Sequence, residues 1–324
     1  MKKVITILTA LLATSSVFAA GEHQLFGEAG AALVYSDHEG SNAELQNDSS
    51  DFGIKGSIGI PETDTKAIYK LKLGLNIADK NSNESDAIKL SDTWIGLKGS
   101  WGKIIAGREN TSLDWGVLSD PEVVTGPFAA FLDGGSTLNN NIQYTSPSFG
   151  PFKAQFGTSL SEDTSVDDVY YGALELDFTH DNNGFGIAIG LENYDEKQII
   201  RTAASYTINN FRIGAIHESK DVNGFEVRDE NDVMTAYQED ERLDTIILSL
   251  SYEWDKNSVA FEAGSKEVSD FDETMKSYTL AYHRKLAKGL NMYIAGGTID
   301  DSTGDTSARA AIGMIYSFKT AIFN

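Results

Sequence analysis

The sequence predicts an all-β fold: a sixteen-stranded antiparallel transmembrane β-barrel with an inward-folded third loop. Three observations predict it. Nearly every ordered-looking run keeps a period of two, apolar on one parity and small or polar on the other. The connections alternate between long and short, which sorts them onto two rims. One long acidic stretch, residues 109–139, interrupts the alternation without a strand pattern of its own.

The first residues stand apart from the barrel. Met1-Lys2-Lys3 is a charged start, Val4 to Leu12 an apolar run, and Val17-Phe18-Ala19-Ala20 supplies small residues for cleavage. Residues 1–19 therefore read as a secretory signal peptide, cut after Ala19 or, as the alternative, after Ala20. The apolar run is too short to cross a bilayer as a helix. Residues 20–324 form the barrel unit.

Sixteen strands are expected at 22–35, 52–60, 66–78, 88–98, 102–108, 139–146, 152–161, 168–179, 184–192, 198–208, 210–217, 243–254, 258–265, 274–284, 289–299 and 306–318. Most suit a tilted span of about 9–11 residues. Phe185, Ile187, Ile189 and Leu191 alternate with Gly186, Ala188, Gly190 and Glu192, and Ile246, Leu248, Leu250, Tyr252 and Trp254 alternate with smaller or polar neighbours. A face of Gly, Ala, Ser and charge makes no conventional core, whereas the apolar face, aromatic at its ends, suits lipid. The connections 36–51, 109–139 and 218–242 are long, and Pro61 to Thr65, Gly99 to Trp101, Asn209 and Asp255 to Asn257 are short. A secreted β-sandwich binding protein also alternates, but it has no reason to sort its loops by rim.

Composition narrows the chemistry. The chain has 26 Lys+Arg against 48 Asp+Glu, a net charge of −22, and no cysteine. Such a balance argues against nucleic acid and favours cations as counter-ions. The five histidines, His23, His38, His180, His217 and His283, show no metal-ligand spacing, and only His217-Glu218-Ser219 sets a serine beside one. No catalytic residue, metal site or cofactor is expected, and a barrel enzyme is the remote alternative.

The stretch 109–139 holds five acids, Glu109, Asp114, Asp120, Glu122 and Asp133, and no lysine or arginine. Its apolar content, Trp115, Val117, Leu118, Phe128, Phe131 and Leu132 among others, is too high for a solvated tether. It is expected to pack into the lumen and narrow it, with Glu122 and Asp133 at the neck.

Asp51-Phe52-Gly53-Ile54-Lys55-Gly56, Trp94-Ile95-Gly96-Leu97-Lys98-Gly99-Ser100-Trp101-Gly102, Gly107-Arg108, Asn141-Ile142-Gln143-Tyr144-Thr145-Ser146-Pro147 and Gly313-Met314-Ile315-Tyr316-Ser317-Phe318 follow one another in an order that resembles the general, trimeric porins of Gram-negative outer membranes. The resemblance covers essentially the whole chain after the signal peptide. It implies a homotrimer in the outer membrane, passage of small hydrophilic solutes, a third loop at the constriction, and a basic wall facing it. Lys55, Lys70, Lys72, Lys98 and Arg108 are the candidates for that wall. A terminal aromatic read during assembly is implied as well, for which Phe318 is favoured over Phe323. Departures weaken the basic wall: Asp51 stands where many relatives have arginine, and Leu138-Asn139-Asn140 also lacks one. Cation preference is therefore expected. A sugar-selective porin, with Trp94, Trp115, Phe128 and Phe131 as ring contacts, is the alternative. The segment from Glu218 to Glu241, with nine acids and two bases, reads as a solvated rim, linked through divalent cations to lipopolysaccharide phosphates.

Overall fold

The computed structural model of the chain describes residues 21–37, 42–78, 87–119, 132–135, 137–161, 168–180, 183–194, 197–222, 225–228, 234–238, 241–268, 273–300 and 306–322. The signal peptide and the loop tip from 120 to 131 lie outside them. The strands are β1 (Gly21–Ser36), β2 (Asn42–Asn47), β3 (Asp51–Gly59), β4 (Lys66–Leu75), β5 (Ile88–Gly99), β6 (Gly102–Asn110), β7 (Thr137–Thr145), β8 (Phe152–Ser159), β9 (Val169–Asp177) and β10 (Asn183–Tyr194). They continue with β11 (Lys197–Ile208), β12 (Phe211–Val222), β13 (Phe225–Arg228), β14 (Met234–Gln238), β15 (Glu241–Trp254), β16 (Asn257–Val268), β17 (Glu273–Ala287), β18 (Leu290–Asp300) and β19 (Thr306–Ala321).

Each barrel strand pairs antiparallel with its sequence neighbours, and β1 pairs with both β3 and β19, so the sheet closes on itself. Closure removes the open edges that hydrocarbon cannot satisfy. β2 pairs only with the upper part of β1, from Ala31↔Asn47 to Ser36↔Asn42. It continues β3 beyond a break at Asp48–Ser50, which leaves sixteen staves. The break is tight: Asp48 N donates to Gly30 O at 3.0 Å, Ser50 Oγ lies 3.1 Å from Gly30 N, and a Cβ on Gly30 would overlap the Asp48 carbonyl.

All sixteen expected strands are present, with ends that shift by a few residues. Three differences are substantive. The expected loop 36–51 contains β2, because the chain keeps pairing with β1 past the break. Strand β12 runs to Val222 instead of ending at residue 217, since it follows β11 in unbroken register to Lys197↔Val222, and the β13–β14 hairpin pairs apart from the barrel. The last strand passes Phe318 and ends at Ala321, opposite Gln24.

The two faces separate as alternation requires. Ile246, Leu248 and Leu250 are 49%, 55% and 44% exposed, while Ile247 and Ser249 between them are 0% and 5% exposed. Rings cluster beside the short turns: Phe178 on Phe185 at 4.8 Å, Phe211 on Tyr252 at 4.4 Å, Tyr252 on Trp254 at 5.6 Å and Tyr316 near Phe318 at 6.4 Å. Such a belt belongs at a headgroup layer, where a ring meets both lipid and water. The expectation that the small-residue face forms no core needs correcting: Ala32, Val34, Ala260, Ala281, Tyr293, Ala295 and Ala311 form one buried cluster on β1 and β16–β19, and a second lies on β9–β15. Ala173, Ala188, Ile199, Ala203, Ile216 and Ile247 are buried there in one cluster with Leu113, Val117 and Leu118.

Candidate functional site

After β6 the chain makes two 3-10 turns, Ser112–Asp114 and Gly116–Leu118. Leu113, Val117 and Leu118 pack onto the small-residue face of β9 to β15, with Trp115 and Leu132 against the same cluster. Small side chains on that wall make the contact possible. A Cβ on Gly190 would stand 2.5 Å from Leu113 Cδ2 and 2.7 Å from Leu118 Cδ1.

Charged side chains of the same wall hold the backbone of this segment. Val117 N donates to Glu175 at 2.9 Å, Gly135 N to Glu192 at 3.3 Å and Asp133 N to Glu218 at 2.6 Å. Arg201 donates to the carbonyls of Leu113 at 2.8 Å and Gly134 at 3.1 Å, and pairs with Glu218 at 2.6 Å. Loop ends carry backbone groups that no ladder satisfies, and here four side chains on four adjacent strands supply the partners. Hydrogen bonds to ionised groups are roughly twice as strong as neutral ones. Asp114 accepts from Asn110 Nδ2 at 2.7 Å, and burial raises its carboxyl above the ordinary value against the opposing charge of Arg201.

The β3–β6 wall is arranged differently. Lys70 Nζ lies 2.7 Å from Asp92 and 4.0 Å from Glu109, and Lys72 Nζ lies 3.2 Å from Asp51 and 3.4 Å from Asp92. Trp94 Nε1 donates to Glu109. Lys55 sits 5.2 Å over the Phe26 ring. Lys98 stands at the end of β5, opposite Lys66 and Lys103, beside the turn at Ser100.

The candidates thus sort into groups. Lys70, Lys72 and Glu109 come together, joined by Asp51 and by Asp92, which sequence reasoning did not single out. Asp133, expected at the neck, is held between Lys266 at 2.7 Å and Lys220 at 3.6 Å, so its charge is compensated by β16 and β12. Arg108 is not brought to the lysines. Register sets it opposite Thr93, one place off the parity of Lys103 and Ile105, and its Nη1 donates to Asn139 Oδ1. Gly107, at φ +145°, and a register shift between Gly107 and Glu109 break the alternation there. Phe318 lies opposite Gly27 in the closing seam. Asp120, Glu122, Phe128, Phe131 and Phe323 lie outside the described residues.

Glu192 was read as one more polar residue on the lumen parity, Glu175 and Arg201 were not singled out, and Glu218, assigned to the solvated rim, is instead buried on β12 and paired with Arg201. Register, not spacing along one strand, brings them together: Arg201 stands opposite Glu218 and opposite Gly190, two residues from Glu192.

A profile of the Gram-negative porin family matches residues 8–304. Among solved structures, an anion-selective porin from Comamonas acidovorans superposes with a TM-score of 0.77 at 16% identity, over 92% of this chain and 100% of that one. Salmonella typhi OmpF, in complex with daunomycin, gives 0.73 at 15% identity, over 93% and 98%. A trimer form of OmpT from Vibrio cholerae gives 0.68 at 15%, over 92% and 100%. No curated protein sequence matches the chain. With a closed sixteen-stranded barrel, a lipid-type outside and a charged inside, the chain belongs to the Gram-negative porin family and is an outer-membrane diffusion channel.

Proposed function

We propose that the chain is exported by residues 1–19, assembles as a homotrimer, and passes small hydrophilic solutes with a preference for cations. Residues 109–139 narrow each lumen; the packing of Leu113, Val117 and Leu118 on the small-residue wall supports this. A related barrel solved as a trimer supports the assembly. An anion-selective porin has a similar fold, so side chains, not the barrel, set the sign of selectivity.

The observation that carries the cation reading lies on β3–β6. Lys70 and Lys72, which would draw anions, share three carboxylates, Asp51, Asp92 and Glu109, within 4.0 Å. Asp120 and Glu122 sit on a stretch without a basic residue. A unit charge at ~4 Å is worth about 1 kcal/mol in bulk water and more beside low-dielectric walls, so one or two uncompensated acids bias permeation. Trp94 and Trp115 are engaged by Glu109 and by the buried cluster, which favours anchoring over sugar contact.

Reversal potential in a potassium chloride gradient tests the reading. The wild type should favour potassium, and the bias should fade toward ~1 M salt, where screening shortens to about 3 Å. Asp120→Asn with Glu122→Gln should move the potential toward zero. A wild-type potential of the opposite sign overturns the cation preference, and a monomer on unheated gels overturns the trimer.

A further inference from the structure

The short-turn end of the β3–β6 wall carries an arrangement that strand pairing disfavours. Register sets Lys55 opposite Lys70, Lys66 opposite Lys98, and Lys98 opposite Lys103. Directly opposed residues of antiparallel strands have Cα atoms only about 4.5–5.5 Å apart, and like charges so placed destabilise the pair. In a chain with 48 acids against 26 bases, carboxylates are abundant enough to neutralise every such lysine. Within ion-pair distance they do so only for Lys70, with Glu109 acting on Lys103 from farther away. Lys55, Lys66, Lys98 and Lys103 have no carboxylate within 4.0 Å among the described residues.

Two of these ammonium groups are held by rings instead. Lys55 lies over Phe26, and Lys103 lies 5.8 Å from the Trp94 ring centroid. A ring face attracts a cation without neutralising it, so the positive charge stays available to a solute. Lys55, Lys98, Lys103, Trp94, Gln24 and Ser57 line a cavity of 640 Å³, and Glu22 is the one carboxylate among its lining residues. The cavity is large enough for a small solute, and the side chains of Gln24 and Ser57 add neutral donors to the cationic ones.

We propose that this cavity binds a small multivalent oxyanion at the periplasmic mouth of the channel. Opposed lysines favour a multivalent ligand, because one such anion interacts with several ammonium groups at once, whereas a monovalent anion leaves most of the repulsion in place. The site is separate from the acids of residues 109–139 and does not depend on the cation preference.

Single-channel recording in oriented planar bilayers tests it, with inorganic phosphate, citrate and acetate as probes. Phosphate and citrate added on the short-turn side should interrupt the current in a saturable manner, and acetate should not. Citrate acting at lower concentration than phosphate would assign the site to polycarboxylates, and the reverse order to phosphates. Lys98→Gln with Lys103→Gln should weaken the blockade by about tenfold or more, as expected when charge-assisted contacts are removed. Equal blockade by acetate, equal blockade from both sides, or full blockade in the double variant overturns the proposal. A melting curve of the trimer gives a reading that needs no current. Phosphate should raise the melting temperature of the wild type but not of the double variant, and equal shifts in both would also overturn it.

Discussion

Glu175, Glu192, Arg201 and Glu218 on β9–β12 are each no more than 3% exposed, whereas the side chains of Lys70 and Lys72 on β4 are 21% and 24% exposed. Both sets belong to one barrel and lie on strands of the same alternating type. The first set is covered by the ends of the loop after β6: its carboxylates accept from loop N–H groups and Arg201 donates to loop carbonyls. The second is paired side chain to side chain and stays in reach of solutes. The same residue types thus do structural work where a loop covers them and electrostatic work where water does.

The largest effect should come from breaking the covered wall. Arg201→Met leaves Glu218 buried without its partner, which costs about 3–5 kcal/mol when one member of a buried pair is removed, and it frees the carbonyls of Leu113 and Gly134. The barrel should melt at clearly lower temperature and the open-channel current should become noisier. An unchanged melting curve would mean that this wall does not hold the loop ends.

A smaller effect is expected from crowding the same contact. Gly190→Val puts methyl groups where Leu113 and Leu118 now lie, and overpacking of this kind costs typically ~1–3 kcal/mol. Conductance should change together with stability, because the displaced side chains belong to the loop. A stability loss at wild-type conductance would separate packing from permeation.

On the open wall the order of effects should reverse. Asp92→Asn keeps the side chain's shape and one acceptor oxygen and removes only the charge shared by Lys70 and Lys72, whose side chains are 21% and 24% exposed and can still reach water. Melting should fall less than in Arg201→Met, while the reversal potential shifts toward anions. A large stability loss without a selectivity change would show that the two walls are not so different.

Most of the barrel was legible because a period of two is a local property: Ile246, Leu248 and Leu250 announce their face without reference to any other strand. Closure was legible from loop sorting. What stayed hidden depends on register. Whether Glu192 meets water or a loop amide is decided by which residues stand beside it on β9 and β11, and no window along one strand contains that information. Arg108 shows the same limit from the other side, since parity counted along β6 does not survive the register shift at Gly107. The break at Asp48–Ser50 was equally invisible, because β2 reads as polar loop until its pairing with β1 is known.

The ring pairs beside the short turns have a consequence for how the molecule sits. Phe178 and Phe185, Phe211 and Tyr252, Trp254 and Tyr282, and Tyr316 and Phe318 mark a waterline on one side of the membrane. Sliding the barrel along its axis would carry these amphipathic rings out of the layer that suits both their faces. Immersion depth is thus fixed from the periplasmic side. The β13–β14 hairpin on the far rim pairs apart from the barrel and lies outside that constraint. It can lengthen, shorten or be exchanged without changing the draught at which the hull floats.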